Sequence, residues 1–283
     1  MNEYPLLRSI LMYLDDSPSS AAAVDLGIAW AKRCDALLVG LVVIDEYALY
    51  DSRRHESASV SYQAAYNQLL KEARHAAEQR LDSFSQRCIK DDVPYKLLED
   101  AGTPREQLLR EAQRYDLVLV GHNVKLGGSR FNPQSDCLSR LLRQAGRPVV
   151  AVPSPCAMSG PTLVAYDGSP ESARAVQAFL GVGLTGLGDV HVVTLDEESG
   201  VRAAKTADRA VEYLRFHEIQ ATPHALAGPD MVASTTIRET ACRLGAGLVV
   251  MGACGQSRLT EYLLGSVTRS LLHETGIPLF LVH

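Results

Sequence analysis

The sequence is written twice, and that repeat limits what the chain can become. The first copy opens Ser9-Ile-Leu-Met-Tyr-Leu-Asp15-Asp-Ser17-Pro18, and the second opens Thr162-Leu-Val-Ala-Tyr-Asp167-Gly-Ser169-Pro170. Each is a short apolar run ending near an aspartate, followed by serine and proline. Serine at an N-cap accepts a backbone N–H of the first helical turn, and proline is already set to helical φ at the next position. Both copies therefore read as a strand running into a capped helix.

The rest of each copy repeats the alternation. A second apolar strand ends in aspartate, at Leu37 to Asp45 and at Val190 to Asp196. A long helix follows over Val60 to Cys88 and over Val201 to His217, with Tyr66, Leu69, Leu70 and Ala73 at helical spacing in the first. Third strands, Tyr95 to Leu98 and Thr222 to Leu226, lead to Ala-Gly at Gly102 and Gly228. Fourth strands run Asp116 to Gly121 and Gly247 to Gly252, and the copies close on Pro148-Val-Val-Ala-Val and Pro278-Leu-Phe-Leu-Val. Strands alternating with helices, and nearly continuous in Val, Leu and Ile, predict parallel sheets covered on both faces. The fold class is α/β: two tandem open parallel five-stranded sheets with helices on both faces. The proline-rich stretch Pro153 to Pro161 is the expected linker, giving units at 1–153 and 161–283.

Charge and cysteine usage exclude several roles. A formal net charge of -5 offers no general attraction for nucleic acid or an anionic membrane. The longest apolar run, Ala36 to Ile44, is too short to cross a bilayer. The first residues carry no basic region followed by a long apolar stretch and read as a mature first strand. Six cysteines are scattered without a C-x-x-C pair, so neither a zinc site nor a disulfide framework is indicated. A cytoplasmic protein with reduced thiols is expected.

The chemistry is concentrated after the fourth strand of the second copy. There the chain reads Gly252-Ala-Cys-Gly255, nine residues, then Gly265-Ser266-Val267-Thr268 and a helix. Open parallel sheets bind ligands beyond the carboxyl ends of their strands. Glycines admit close backbone approach, hydroxyls add donors, and a helix N-terminus presents unpaired N–H groups to an anion. Three fixed glycines and a Ser/Thr would arise by chance in about one chain per hundred of this length. The bare alternative is glycines that only make turns. The P-loop pattern G-x4-G-K-[S/T] is absent, as are the Ser-Gly-Gly-x-Asp-Ser loop and the His-Ile-Gly-His element of nucleotide-transferring enzymes.

On these residues the chain resembles a tandem member of the universal stress protein family, whose nucleotide motif is G-x2-G-x9-G-[S/T]. The tail from Gly265 to Val282 is similar to that family's ending. The resemblance implies an adenine-nucleotide alpha-hydrolase-like, Rossmann-like fold and one bound ATP, accompanied by Mg2+ or Mn2+. It implies phosphates on Gly252, Gly255, Gly265, Ser266 and Val267, with Ser257 in the same loop. Asp167 is then expected near ribose and metal, and Thr194 and Met251 beside the adenine. No residue is assigned as catalytic or as a dedicated metal ligand.

The first copy departs from the motif. Val124 stands where Gly255 is expected, and Ser135-Asp136-Cys137-Leu138 replaces Gly265-Ser266-Val267-Thr268. A carboxylate at Asp136 would oppose phosphate by about 1 kcal/mol. Asp16 replaces Gly168, and Lys125 to Arg130 reads as a solvated loop. Copy one is expected not to bind ATP.

His122, His191 and His273 belong to no metal spacing, Arg258 and Arg269 flank the cradle, and Cys254 lies within it. The leading reading is a stress-response protein holding ATP as a regulatory ligand for an unidentified protein partner. Two others stay open: a slow ATP-hydrolysing or nucleotide-transferring enzyme, and a nucleotide-free interaction scaffold. The two closing strands are expected to pair within one chain as a pseudo-dimer, with a homodimer of whole chains as a further option.

Overall fold

In a computed structural model, the first strand of each copy lies in the middle of its own set of five, and the two sets join edge to edge. The structure describes residues 7–51, 60–124, 126, 135–253 and 265–283. The first half runs β1 (Ser9–Tyr13), α1 (Pro18–Cys34), β2 (Leu37–Ile44), α2 (Glu46–Asp51), α3 (Val60–Lys90) and β3 (Tyr95–Ala101). It continues through α4 (Pro104–Ala112), β4 (Leu117–Gly121), α5 (Ser135–Gln144) and β5 (Val149–Val152). The second half runs β6 (Thr162–Ala165), α6 (Pro170–Gly181), β7 (Val190–Asp196), α7 (Gly200–Phe216) and β8 (Ala221–Ala227). It ends with α8 (Ala233–Leu244), β9 (Leu248–Gly252), α9 (Ser266–Glu274) and β10 (Leu279–Val282).

The strand order is β3-β2-β1-β4-β5-β10-β9-β6-β7-β8, so the two five-stranded sets expected from the repeat join into one ten-stranded sheet. Within each half every pair is parallel. Among the described residues the one antiparallel pair is β5 with β10, with Val150 opposite Phe280. The expected intramolecular pairing of the closing strands is therefore present. It takes up one edge from each half, because an unpaired strand beside an apolar face would otherwise expose a row of backbone donors and acceptors.

Each face of the sheet carries an apolar cluster containing residues of both halves. One holds Trp30, Phe84, Phe179 and Phe280, and the other Leu11, Leu141, Val249 and Leu281. Phe179 of α6 meets Phe280 edge-on, with ring centroids 6.0 Å apart.

The N-caps form as the sequence predicts. Ser17 accepts from Ser20 N–H at the start of α1, and Ser169 accepts from Ser172 N–H at the start of α6, both at 3.1 Å. The halves differ most in the helix after the second strand. The first half has 31 residues in α3 where α7 has 17, and the first half adds the short α2. No helix among the described residues is long and apolar enough to cross a membrane.

Candidate functional site

In the second half the chain goes from β6 to β7 on one side and later from β8 back to β9 on the other. The carboxyl ends of β6 and β9 thus flank a topological switch point, where neighbouring loops diverge and leave a crevice. A cavity of about 360 Å³ opens there. Of the sequence-predicted residues it brings together Asp167, Met251, Gly252, Gly265, Ser266 and Val267. Gly255, Ser257, Cys254 and Arg258 lie outside the described residues.

Asp167 is set by the turn that starts α6. Its carboxylate accepts the N–H of Ser169 at 2.9 Å. Gly168 between them takes φ +79°, a left-handed conformation that favours glycine. Burial pushes the Asp167 carboxyl up, but hydrogen bonds from Ser169 and Ser172 outweigh it and hold the group below the usual carboxylate range. Asp167 is ionised at neutral pH, and neither lysine nor arginine occurs among the described lining residues.

Opposite it, α9 starts with Gly265 at the N-cap, without a side-chain cap. Gly265 N–H donates to Ala253 O at 3.2 Å and Arg269 N–H returns to Gly265 O at 3.0 Å. The first N–H groups of a helix have no intrahelical acceptor. Those of Ser266, Val267 and Thr268 therefore belong to the uncapped turn that lines the cavity. This end suits an anion and the other end is apolar, with Ala165, Val193, Leu195 and Ile237 in the wall.

Two roles read from the sequence change, and a third residue gains a second reason. Thr194 does not line the cavity. It is buried, and its hydroxyl donates to the Tyr166 carbonyl at 2.8 Å. Alternate residues of a strand face opposite sides, so Val193 and Leu195 take the wall instead. Thr268 lines the cavity, but its hydroxyl donates to Ala253 O at 3.3 Å. Gly252 has a packing reason of its own, since a Cβ there would lie 2.8 Å from Glu171 Cβ and 2.9 Å from the Glu171 backbone carbon. Gly121 in the first half is crowded in the same way by Ser19. A glycine ending the fourth strand thus lets the first helix pack closely, whether or not a ligand binds.

The equivalent place in the first half is filled. Register puts Tyr13 opposite Leu41 as Ala165 is opposite Val193, so a phenol ring takes the alanine's position. Tyr13 is 6%, Val124 2% and Leu126 0% exposed, all within one apolar cluster with Leu138. Burial, reinforced by Asp15 and Asp45, pushes the Tyr13 hydroxyl far above its usual range. Asp16 at the Gly168 position is paired with Arg80 of α3. The side chain of Asp136 lies outside the described residues.

The histidines separate. His122 sits beside Val152 O, its Nδ1 3.3 Å away, and burial lowers its pKa. His191, isolated in sequence, is 3.0 Å from His224 on the next strand. Arg269 is absent from the cavity lining. Cys88 and Cys156 are both pushed by burial to about 11, so neither is a ready thiolate at neutral pH.

Comparison with known proteins agrees with the repeat. The sequence model of the universal stress protein family matches twice, over residues 7–153 and 158–283. A universal stress protein of Synechocystis sp. is 24% identical over 169 residues, covering 58% of this chain and 56% of the relative. One of Mycobacterium bovis is 28% identical over 196 residues, covering 62% and 64%. The match thus spans less than two thirds of these curated relatives. Among solved structures, a universal stress protein from Archaeoglobus fulgidus superposes with a TM-score of 0.69, covers 97% of each chain and is 18% identical. That likeness is one of fold.

Proposed function

Because the chain belongs to the universal stress protein family, matched over residues 7–153 and 158–283, we propose that its second half binds one ATP as a regulatory ligand in a stress response. The observation that carries this reading is the contrast between an open cavity lined by Asp167, Gly265, Ser266 and Val267 and its counterpart filled by Tyr13, Val124 and Leu126. In this reading residues 161–283 hold the ligand and residues 1–153 are its structural partner.

The base would lie among Ala165, Val193, Leu195 and Ile237, beside Met251, and the phosphates at the first turn of α9. The Asp167 carboxylate, ionised and with no lysine or arginine among the described lining residues, fits a ribose hydroxyl or an accompanying Mg2+ or Mn2+ ion. Asp167 is also the one carboxylate among the described lining residues. Committed to ribose or metal, it leaves no further carboxylate there to activate water, which favours a held ligand over a turned-over one. Occupancy would act on a protein partner by stabilising one state of the surface around the cavity over another.

Titration of the purified chain with ATP and Mg2+ by calorimetry tests the assignment. One nucleotide per chain is expected. Gly265→Leu, which places a side chain at the first turn of α9, should abolish binding without lowering the melting temperature of the ligand-free protein. Val124→Ala in the first half should leave binding unchanged. Undiminished binding by Gly265→Leu would sink the site.

A further inference from the structure

The face of the sheet that forms the cavity wall continues along β7 and β8 to a pair of histidines. His191 Nδ1 lies 3.0 Å from His224 Nε2, with ring centroids 5.2 Å apart and the planes tilted by 42°. The strand register sets His224 opposite Val193, two positions along from His191, so both imidazoles rise from one face. Both are half-buried. Nothing in the proposed nucleotide site uses either ring.

Two ring nitrogens this close share one proton: one carries it and the other offers its lone pair. When that proton moves through solvent to the other nitrogen of the same ring, both facing nitrogens offer lone pairs, and a metal ion beside them takes both. With metal–nitrogen bonds of about 2.0–2.1 Å, two imidazoles bound at angles between square and tetrahedral have nitrogens about 2.9–3.4 Å apart. The observed 3.0 Å falls inside that interval. Parallel pairing of β7 with β8 over Val190 to Asp196 holds the backbone on both sides, so the spacing is set before any ion arrives.

We propose that His191 and His224 form a binding site for a divalent late transition-metal ion, with the two imidazoles adjacent in its coordination sphere and water completing it. Imidazole suits copper, nickel and zinc, whereas magnesium and calcium require oxygen ligands. Among the described residues no group of three or more His, Cys, Asp or Glu could hold a metal, so the site is open. An open site of two nitrogens discriminates little by geometry, and affinity follows the intrinsic order in which Cu2+ stands above Ni2+ and Zn2+. Arg243 of α8 stands near His224. The Arg243 charge opposes a cation, so it limits affinity.

The test uses the whole chain and Cu2+ as the probe. Calorimetry should give one strong site per chain, and electron paramagnetic resonance should report two imidazole nitrogens. His224→Gln and His191→Gln should each weaken binding roughly tenfold or more. His217→Gln, on an exposed histidine after α7, should leave it unchanged, and Arg243→Ala should tighten it. Equal binding by wild type and His224→Gln, or millimolar binding spread over several histidines (an adventitious ion only), would overturn the proposal. Paramagnetic broadening of amide signals in the wild-type protein needs no variant. Broadening confined to the strands around residues 191 and 224 supports the site, and broadening centred elsewhere excludes it.

Discussion

Ser169 caps α6 through Ser172 N–H and donates its own N–H to Asp167, so one residue fixes both a helix start and the charge at the cavity wall. Ser169→Ala should cost about 1 kcal/mol from the lost cap. It should also raise the pKa of Asp167, because a side-chain hydrogen bond that favours the carboxylate is removed. A carboxyl whose folded pKa lies below its unfolded value contributes stability above the unfolded value and loses it as pH falls through the folded one. In Ser169→Ala the folded value lies closer to the unfolded one, so less of this stability is present at neutral pH, the loss is complete at higher pH, and with the cap also gone the protein is less stable at every pH. The check is the acid-unfolding midpoint, which should move to higher pH, together with the Asp167 carboxyl shift in an NMR titration. The Ser-Pro caps were legible in the sequence because a cap is decided within four residues. The roles of Thr194, Thr268 and Gly252 were not. Their partners are Tyr166 O, Ala253 O and Glu171, and which side chain or backbone group approaches them is decided by packing between elements.

At the scale of elements, β10 joins the halves and places Phe280 at 0% exposure opposite Val150 and against Phe179. Truncation to alanine removes a buried ring from a cluster that cannot collapse around it, a cost of about 3–5 kcal/mol. Phe280→Ala is therefore expected to lower the denaturant midpoint of the whole chain, with protection against hydrogen exchange falling in β4 and β5 as well as in β9. Protection lost from the second half alone would show that the seam transmits nothing. The closing strands could be matched from sequence because both are short, apolar and led by proline, and pairing them removes two open edges. The long α3 was legible as well, expected over Val60 to Cys88 and found over Val60–Lys90, whereas the short α2 was not, since the second half has no counterpart to it. The pairing of His191 with His224 was equally hidden, because 33 residues separate them and only the strand register brings them together.

At the scale of the molecule, a tandem repeat ordinarily behaves as two units, and two units ordinarily melt separately. Here each face of the sheet has a cluster built from both halves: Trp30 and Phe84 share one with Phe179 and Phe280, and Leu141 shares the other with Leu281. A further contact crosses the seam, from Arg33 to Gly186 O at 2.9 Å, and the linker is tied to the second half by Ala157 N–H to Gly276 O, also 2.9 Å. Separating the halves would expose the β5 and β10 edges and both clusters at once. Either half alone thus loses much of what stabilises it. The chain should consequently melt in one transition, with calorimetric and van't Hoff enthalpies equal. ATP, if it binds in the second half as proposed, should raise the melting temperature reported by probes in both halves equally, since ligand bound only to the native state stabilises the entire cooperative unit. Differential scanning calorimetry, combined with a fluorescence melt read from the single tryptophan, Trp30 in the first half, makes the comparison directly. If saturating ATP shifted the calorimetric transition while leaving the Trp30 transition in place, the halves would be independent folding units and the shared clusters would carry no cooperativity.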